Sequence, residues 1–272
     1  FYQACQETNI NPILGLETTF QIPGHPTLGG NLVLLAQNFT GWQNLCRLSS
    51  QATIQQVEHH ENLSSIESLE IHSDGMICLT GGSSGWITSI IKHLDYATAD
   101  KYLAALKDIF PDRLYVELQI QRSLDHNLTD MCSQLAHQNN LPIVATQNIH
   151  YIDPTQKGLY TTLDAIRTNT RRDVIASRNP DADYFCAAKE MKIKFNKYVG
   201  AFETTEEIAS QCNLKLPLGI HHYPQLHFAT GESPENVIRE KSYAGARKLY
   251  GVLTENIKNR LEYELEIIND LD

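Results

Sequence analysis

Apolar and polar positions follow two regimes along the chain. Short unbroken apolar runs recur at Pro12-Ile13-Leu14-Gly15-Leu16-Glu17, Asn31-Leu32-Val33-Leu34-Leu35-Ala36, Gly75-Met76-Ile77-Cys78-Leu79-Thr80, Leu114-Tyr115-Val116-Glu117-Leu118-Gln119-Ile120 and Leu141-Pro142-Ile143-Val144-Ala145-Thr146. Runs of this length are what buried strands show, whereas apolar residues three and four apart mark amphipathic helices. One helix is predicted behind a capping box at Thr40-Gly41-Trp42-Gln43, burying Trp42, Leu45, Cys46 and Ser49. A second is capped by Thr98 and runs to Phe110 on a stripe of Leu103, Leu106, Ile109 and Phe110. A third runs from about Leu124 to Gln138. Strands alternating with helices predict a mostly parallel sheet with helical crossovers, and spacings of about 30 residues favour a barrel over an open sheet.

The fifth run ends in polar residues, with Asn148 and His150 two apart and so on one side of a strand. The carboxyl ends of strands are where β/α barrels gather their chemistry. Asp153-Pro154-Thr155-Gln156 then reads as a helix start with its own capping box. Taken alone, the stretch is also what an ordinary strand-to-helix junction looks like. Pro23 to Gly30 is predicted as a loop, and Gln55 to Ser65 as a loop with a short helix. Gly81-Gly82-Ser83-Ser84-Gly85 is read as a glycine turn, because no phosphate-binding G-x-x-x-x-G-K-[ST] is present.

Beyond Thr170 the segment Arg171 to Asp183 reads as polar and irregular. Helices are expected from Ala187 and from a cap at Thr204 or Thr205 to Cys212, and Asn213 to Pro217 leaves extended. Adjacent His221 and His222 point to opposite sides of a strand, which favours a surface or packing role over metal binding. From Ser233 two helices are separated by Tyr250-Gly251, the last with an apolar stripe of Ile257, Leu261, Leu265 and Ile268.

Composition narrows the class. The 272 residues, 42% apolar and 20% charged, suit a globular chain with a full core. A net charge of −10 argues against wrapping nucleic acid unaided. Six cysteines without a C-x-x-C pair suggest reduced thiols and a cytoplasmic protein. No run of about 20 apolar residues predicts a membrane span. The chain opens and stops inside apparent helices, so a piece of a longer protein is expected.

In that order, six segments carry a resemblance: Phe1-Tyr2-Gln3-Ala4-Cys5 through Glu17; Leu32 to Ala36 with Gly41-Trp42-Gln43-Asn44-Leu45; Gly75 to Gly82; Val144 to Tyr151; Glu207-Ile208-Ala209-Ser210-Gln211-Cys212-Asn213; and Arg260-Leu261-Glu262-Tyr263-Glu264-Leu265. Together they resemble the polymerase-and-histidinol-phosphatase (PHP) domain of C-family bacterial DNA polymerase III alpha subunits. Gly41 to Leu48 is similar in wording to the error-prone branch.

The resemblance implies an α/β fold, a distorted seven-stranded β/α barrel of the PHP type, here N-terminally truncated. It implies a PHP domain over residues 1–225 and a helical extension over 226–272 that starts the polymerase palm. Active members carry a metal cluster at the barrel mouth. Of its ligands, Glu17 matches the family Glu and His150 the late His. Asn31, Gly82 and Asn148 stand where a His, a turn ligand and an Asp would be, and the early histidines would lie upstream of Phe1. An amide is a weak ligand and a glycine none, while even one catalytic zinc takes about three protein ligands.

The expectation is therefore a vestigial site, no cofactor bound by this piece, and a mainly structural role. The parent would use Mg and catalytic aspartates outside this chain to add dNTPs on DNA. A sliding clamp and an exonuclease subunit are candidate replisome partners, and no membrane contact is expected. Two other classes compete. One is a stand-alone PHP phosphoesterase or 3'-5' exonuclease; the other is a pure interaction module.

Overall fold

Chain reversal at Pro23-Gly24 decides the architecture. In the computed structural model, which describes residues 1–59, 64–120, 125–178, 184–220 and 233–271, α1 (Tyr2–Glu7) leads into β1 (Gly15–Ile22), and β2 (His25–Ala36) folds straight back on it, with Glu17 opposite Val33 and Thr19 opposite Asn31. The segment expected as a loop from Pro23 to Gly30 is thus largely strand, because a turn this short leaves no room for a crossover. Next come α2 (Phe39–His59), α3 (Glu67–His72), β3 (Met76–Leu79), α4 (Trp86–His93), α5 (Tyr96–Ile109), β4 (Leu114–Gln119), α6 (Asp125–Gln138) and β5 (Ile143–Thr146). The strands form one sheet in the order β1-β2-β3-β4-β5. Its first two pairings are antiparallel and its last two parallel. The fold class is α/β, but the sheet is mixed rather than mostly parallel. The remaining helices are α7 (Lys157–Arg167), α8 (Arg172–Arg178), α9 (Ala188–Lys194), α10 (Thr204–Gln211), α11 (Pro234–Tyr250) and α12 (Glu255–Asp270).

The sheet buries side chains on both faces, as the continuous apolar runs require. On one face Phe20, Ile22, Leu32, Leu34, Met76, Cys78, Val116 and Leu118 join Trp86, Ile90, Leu103, Leu106 and Phe110 in the main core. Each large side chain fully buried there contributes about 1.5–3 kcal/mol. On the other face a smaller cluster holds Ile77, Leu79, Tyr115 and Val144 against Ile208 and Cys212 of the α10 region.

Several local expectations shift. Helix α2 runs unbroken to His59, because neither Gly nor Pro interrupts it after Gly41. Its buried face is Gly41, Asn44, Leu45 and Leu48, while Cys46 and Ser49 are exposed. That one-residue rotation follows from the close approach of Gly41 to Gly75, whose φ of +70° suits glycine alone. The Asn38 side chain, rather than Thr40, accepts the Gly41 N–H at 3.1 Å. Asp95, rather than Thr98, caps α5, accepting the Thr98 N–H at 2.7 Å.

Helix α4 was not anticipated; Thr88 fastens its start by donating to the Gly82 and Gly85 carbonyls, each at 2.8 Å. Arg172–Arg178 is helical where irregular chain was expected. The Thr204 and Thr205 hydroxyls turn back to the Gly200 and Phe202 carbonyls and cap nothing. By contrast, the capping box of Asp153 and Gln156 forms as read, on a 3-10 turn at Pro154–Gln156 that runs into α7.

The chain divides into two compact units, Phe1–Leu216 and Pro217–Asp272. In the first, the Tyr2 hydroxyl bolts α1 to the unit's last residues, donating to the Leu214 carbonyl at 3.4 Å and accepting the Leu216 N–H at 3.1 Å. In the second, Ser233 caps α11, and Glu262 of α12 accepts from Arg239 at 2.6 Å and Tyr243 at 2.5 Å. His221 and His222 lie outside the described residues, as does the 225/226 boundary. The described cysteines are free, and no helix of the described residues is long and apolar enough to cross a membrane.

Candidate functional site

Period-two alternation sorts the polar residues of the sheet onto one side. In β4, Leu114, Val116 and Leu118 enter the main core, so Tyr115, Glu117 and Gln119 face the other way. In β5, Ile143 and Ala145 face the core and Thr146 the opposite side. Val33 of β2 lies on that opposite side as well, and with it, by alternation, Asn31. Glu17 and Thr19 of β1 share the face with Asn31, whose amide donates to the Glu17 carboxylate at 2.6 Å and accepts the Thr19 hydroxyl at 2.7 Å.

Gly81, at φ +83°, starts the turn after β3. A Cβ there would lie 2.0 Å from the Asn31 carbonyl oxygen, so only glycine lets the turn close on β2. The turn then aims its amides at β4. Gly81 N–H donates to Glu117 at 2.9 Å, and Ser83 donates to the Gln119 side-chain oxygen through its N–H at 3.1 Å and its hydroxyl at 3.2 Å. The Gln119 amide nitrogen donates to Glu117 at 2.9 Å and to the Thr146 hydroxyl at 3.2 Å, and Thr146 in turn donates to Glu117. Glu117 is buried, and burial raises its carboxyl above the usual range. The Thr146, Gln119 and Gly81 donors pull it back down, and the Glu17 carboxylate adds a smaller upward push.

The five positions read from the sequence are only partly brought together. Glu17 and Asn31 are hydrogen-bonded to each other, and Gly82 lies in the same turn as Gly81. Asn148 and His150 lie past the end of β5 and are exposed. The His150 ring stacks on Tyr160 of α7 at 4.7 Å and 16°. Glu117, Gln119, Thr146, Thr19 and Ser83 were missed, although the alternation in Leu114-Tyr115-Val116-Glu117-Leu118-Gln119 was available as a signal.

This donor set fits a divalent cation poorly. One Glu17 oxygen accepts an amide, Glu117 already accepts from three donors, and Gly82 offers no side chain. Among the described residues, no three His, Cys, Asp or Glu side chains group as metal ligands.

Comparison with known proteins gives a consistent picture. The PHP domain family matches residues 1–121. The chain is 28% identical over 272 residues to the DNA polymerase III subunit alpha of Bacillus subtilis (strain 168), covering 98% of this chain and 24% of that protein. It is 31% identical over 294 residues to the error-prone DNA polymerase of Symbiobacterium thermophilum, covering 100% of this chain and 26% of that protein. To the DNA polymerase III subunit alpha of Escherichia coli (strain K12) it is 29% identical over 285 residues, covering 100% and 24%. The chain spans about a quarter of the length of these relatives.

Proposed function

We propose that this chain, whose residues 1–121 match the PHP domain family and which is similar to bacterial DNA polymerase III alpha subunits, is the front portion of a DNA-directed DNA polymerase that supports the catalytic body without catalysing. The parent would extend a primer on a DNA template with dNTPs and Mg, in the cytoplasm, on carboxylates that lie outside this chain. The barrel would be of the seven-stranded PHP type, with residues 1–225 forming the PHP domain and α11 and α12 leading toward the palm. A sliding clamp and an exonuclease subunit are the partners proposed for the parent.

Glu17 and His150 remain as a vestige of the metal site, with Asn31, Gly82 and Asn148 as the substituted positions. The observation that carries this reading is the Asn31 amide on Glu17, a neutral donor in the position of a ligand. An amide hydrogen bond needs no metal to satisfy the carboxylate.

The test is made on the intact protein that contains this chain. Template-directed primer extension is expected, together with no manganese- or zinc-stimulated phosphoester hydrolysis that depends on Glu17 or His150. The paired substitution Asn31→His with Asn148→Asp should raise metal binding. A wild type that already hydrolyses phosphoesters as well as this variant, and loses the activity in His150→Ala, would instead be an active PHP phosphoesterase.

A further inference from the structure

We infer that the Gln119 side-chain amide stands where a divalent cation shared by Glu117 and Thr146 would stand, and that Gln119 keeps a cation out of that one place. The inference rests on the vestigial-site reading above and extends it to a residue outside the five positions on which that reading was built.

Every polar site of the Gln119 amide is used. Its nitrogen bridges Glu117 Oε1 at 2.9 Å and Thr146 Oγ1 at 3.2 Å, and its oxygen accepts both the Ser83 N–H and the Ser83 hydroxyl. The orientation is fixed by chemistry. Flipping the amide would set its oxygen against the Glu117 carboxylate and its NH2 against the Ser83 N–H, losing these bonds together.

A cation shared by the Glu117 carboxylate and the Thr146 hydroxyl would sit at about 2.0–2.6 Å from each oxygen, within the place the amide nitrogen bridges. Both cannot be there. The cavity beside it, lined by Gly82, Ser83, Glu117, Gln119 and Thr129, holds about 10 Å³. That is room for about one water at most.

The local field otherwise favours a cation. Glu117 is a buried carboxylate, and the Glu17 carboxylate is near enough to oppose its ionisation. Nothing around Glu117 among its hydrogen-bond partners carries a positive charge; the Gly81 N–H, the Thr146 hydroxyl and the Gln119 amide supply the compensation. Gln119 is also matched to Gly82. A Cβ at Gly82 would lie 2.2, 2.4 and 2.6 Å from three atoms of the Gln119 amide. A side chain at 82 would therefore displace the Gln119 amide from the place it holds.

The experiment uses the intact protein with Mn2+ as the probe. Mn2+ binding is counted by electron paramagnetic resonance, and amide exchange over residues 80–85 is read by mass spectrometry. In wild type, Mn2+ should leave that exchange unchanged. Gln119→Glu should bind one Mn2+ more per chain than wild type, and Glu117→Gln added to it should remove the gain. Gln119→Ala should speed exchange of the Ser83 amide about fivefold, the loss of one hydrogen bond.

Slowed exchange over 80–85 in wild type with Mn2+, a folded Gln119→Glu with no added Mn2+, or unchanged Ser83 exchange in Gln119→Ala would each overturn the inference. If Gln119→Glu does not fold, the wild-type and Gln119→Ala results decide. Metal held by Glu17 and His150 without a change over 80–85 would sink the vestigial-site reading and leave this inference standing.

Discussion

Gly41→Ala should destabilise the first unit, although it places the best helix former in a helix. A Cβ at Gly41 would lie 1.9 Å from the Gly75 carbonyl oxygen, 2.7 Å from its carbon and 3.4 Å from the Ala36 Cα. An ordinary C···O contact is about 3.3 Å, so the backbones must part by more than about 1 Å. Gly75 cannot yield cheaply. Its carbonyl accepts the Gln37 N–H at 2.9 Å, and a Cβ of its own would lie 2.6 Å from the Gly41 nitrogen. Overpacking of this kind costs about 1–3 kcal/mol and the strained hydrogen bond about 1 kcal/mol, against about 1 kcal/mol gained in helix propensity.

The net is a loss of about 2 kcal/mol, roughly a thirtyfold drop in the folded-to-unfolded ratio. Urea unfolding followed by the fluorescence of Trp42 and Trp86 should show a midpoint lower by about 1 M. Gly245→Ala in α11 is the control. Nothing lies within 4 Å of its Cβ, so helix unfolding by circular dichroism should show a gain of about 0.5–1 kcal/mol. A neutral or stabilising Gly41→Ala would refute the close approach of α2 to the β3 turn.

Two further perturbations test the electrostatics. Glu117→Gln should cost about 1–2 kcal/mol in acid, from one mismatched hydrogen bond, and less as pH rises. The folded carboxyl titrates above the ordinary range because of burial, so wild type loses stability as pH climbs through that window while the variant does not. Equal penalties at about pH 5 and about pH 8 would contradict this sign. Asp130→Asn should lower stability by about 0.5–1 kcal/mol near neutrality. Asp130 accepts the Lys197 ammonium at 2.6 and 2.7 Å and the Tyr198 hydroxyl at 2.8 Å, and these bonds hold its carboxyl below the usual range. Its contribution is present above that range and disappears as pH falls, so the variant and wild type should converge in acid unfolding.

The unbroken apolar runs located all five strands of the described residues, and three-four spacing located α5 and α12, because burial on two faces or on one stripe writes itself directly into the residue order. The capping box at Asp153 and Gln156 was equally visible, since its partners are three residues apart. The six-segment pattern likewise pointed to the PHP domain and polymerase relatives that the comparisons bear out. What lies close in sequence, or is set by composition, was determined there.

Strand direction was not. The same apolar run serves a parallel or an antiparallel strand, and it was the reversal at Pro23-Gly24 that made the sheet mixed. Nor did helical spacing reveal which face of α2 turns inward, since that depends on two glycines 34 positions apart meeting at one point. The polar network shows this most clearly. Glu117 looked like one polar residue in a strand, and its role depends on Gly81 and Thr146 from neighbouring strands' ends. Hydrogen bonds across strands join residues about 30 positions apart, so no local pattern encodes them, and only the packed sheet decides which donors reach a buried carboxylate.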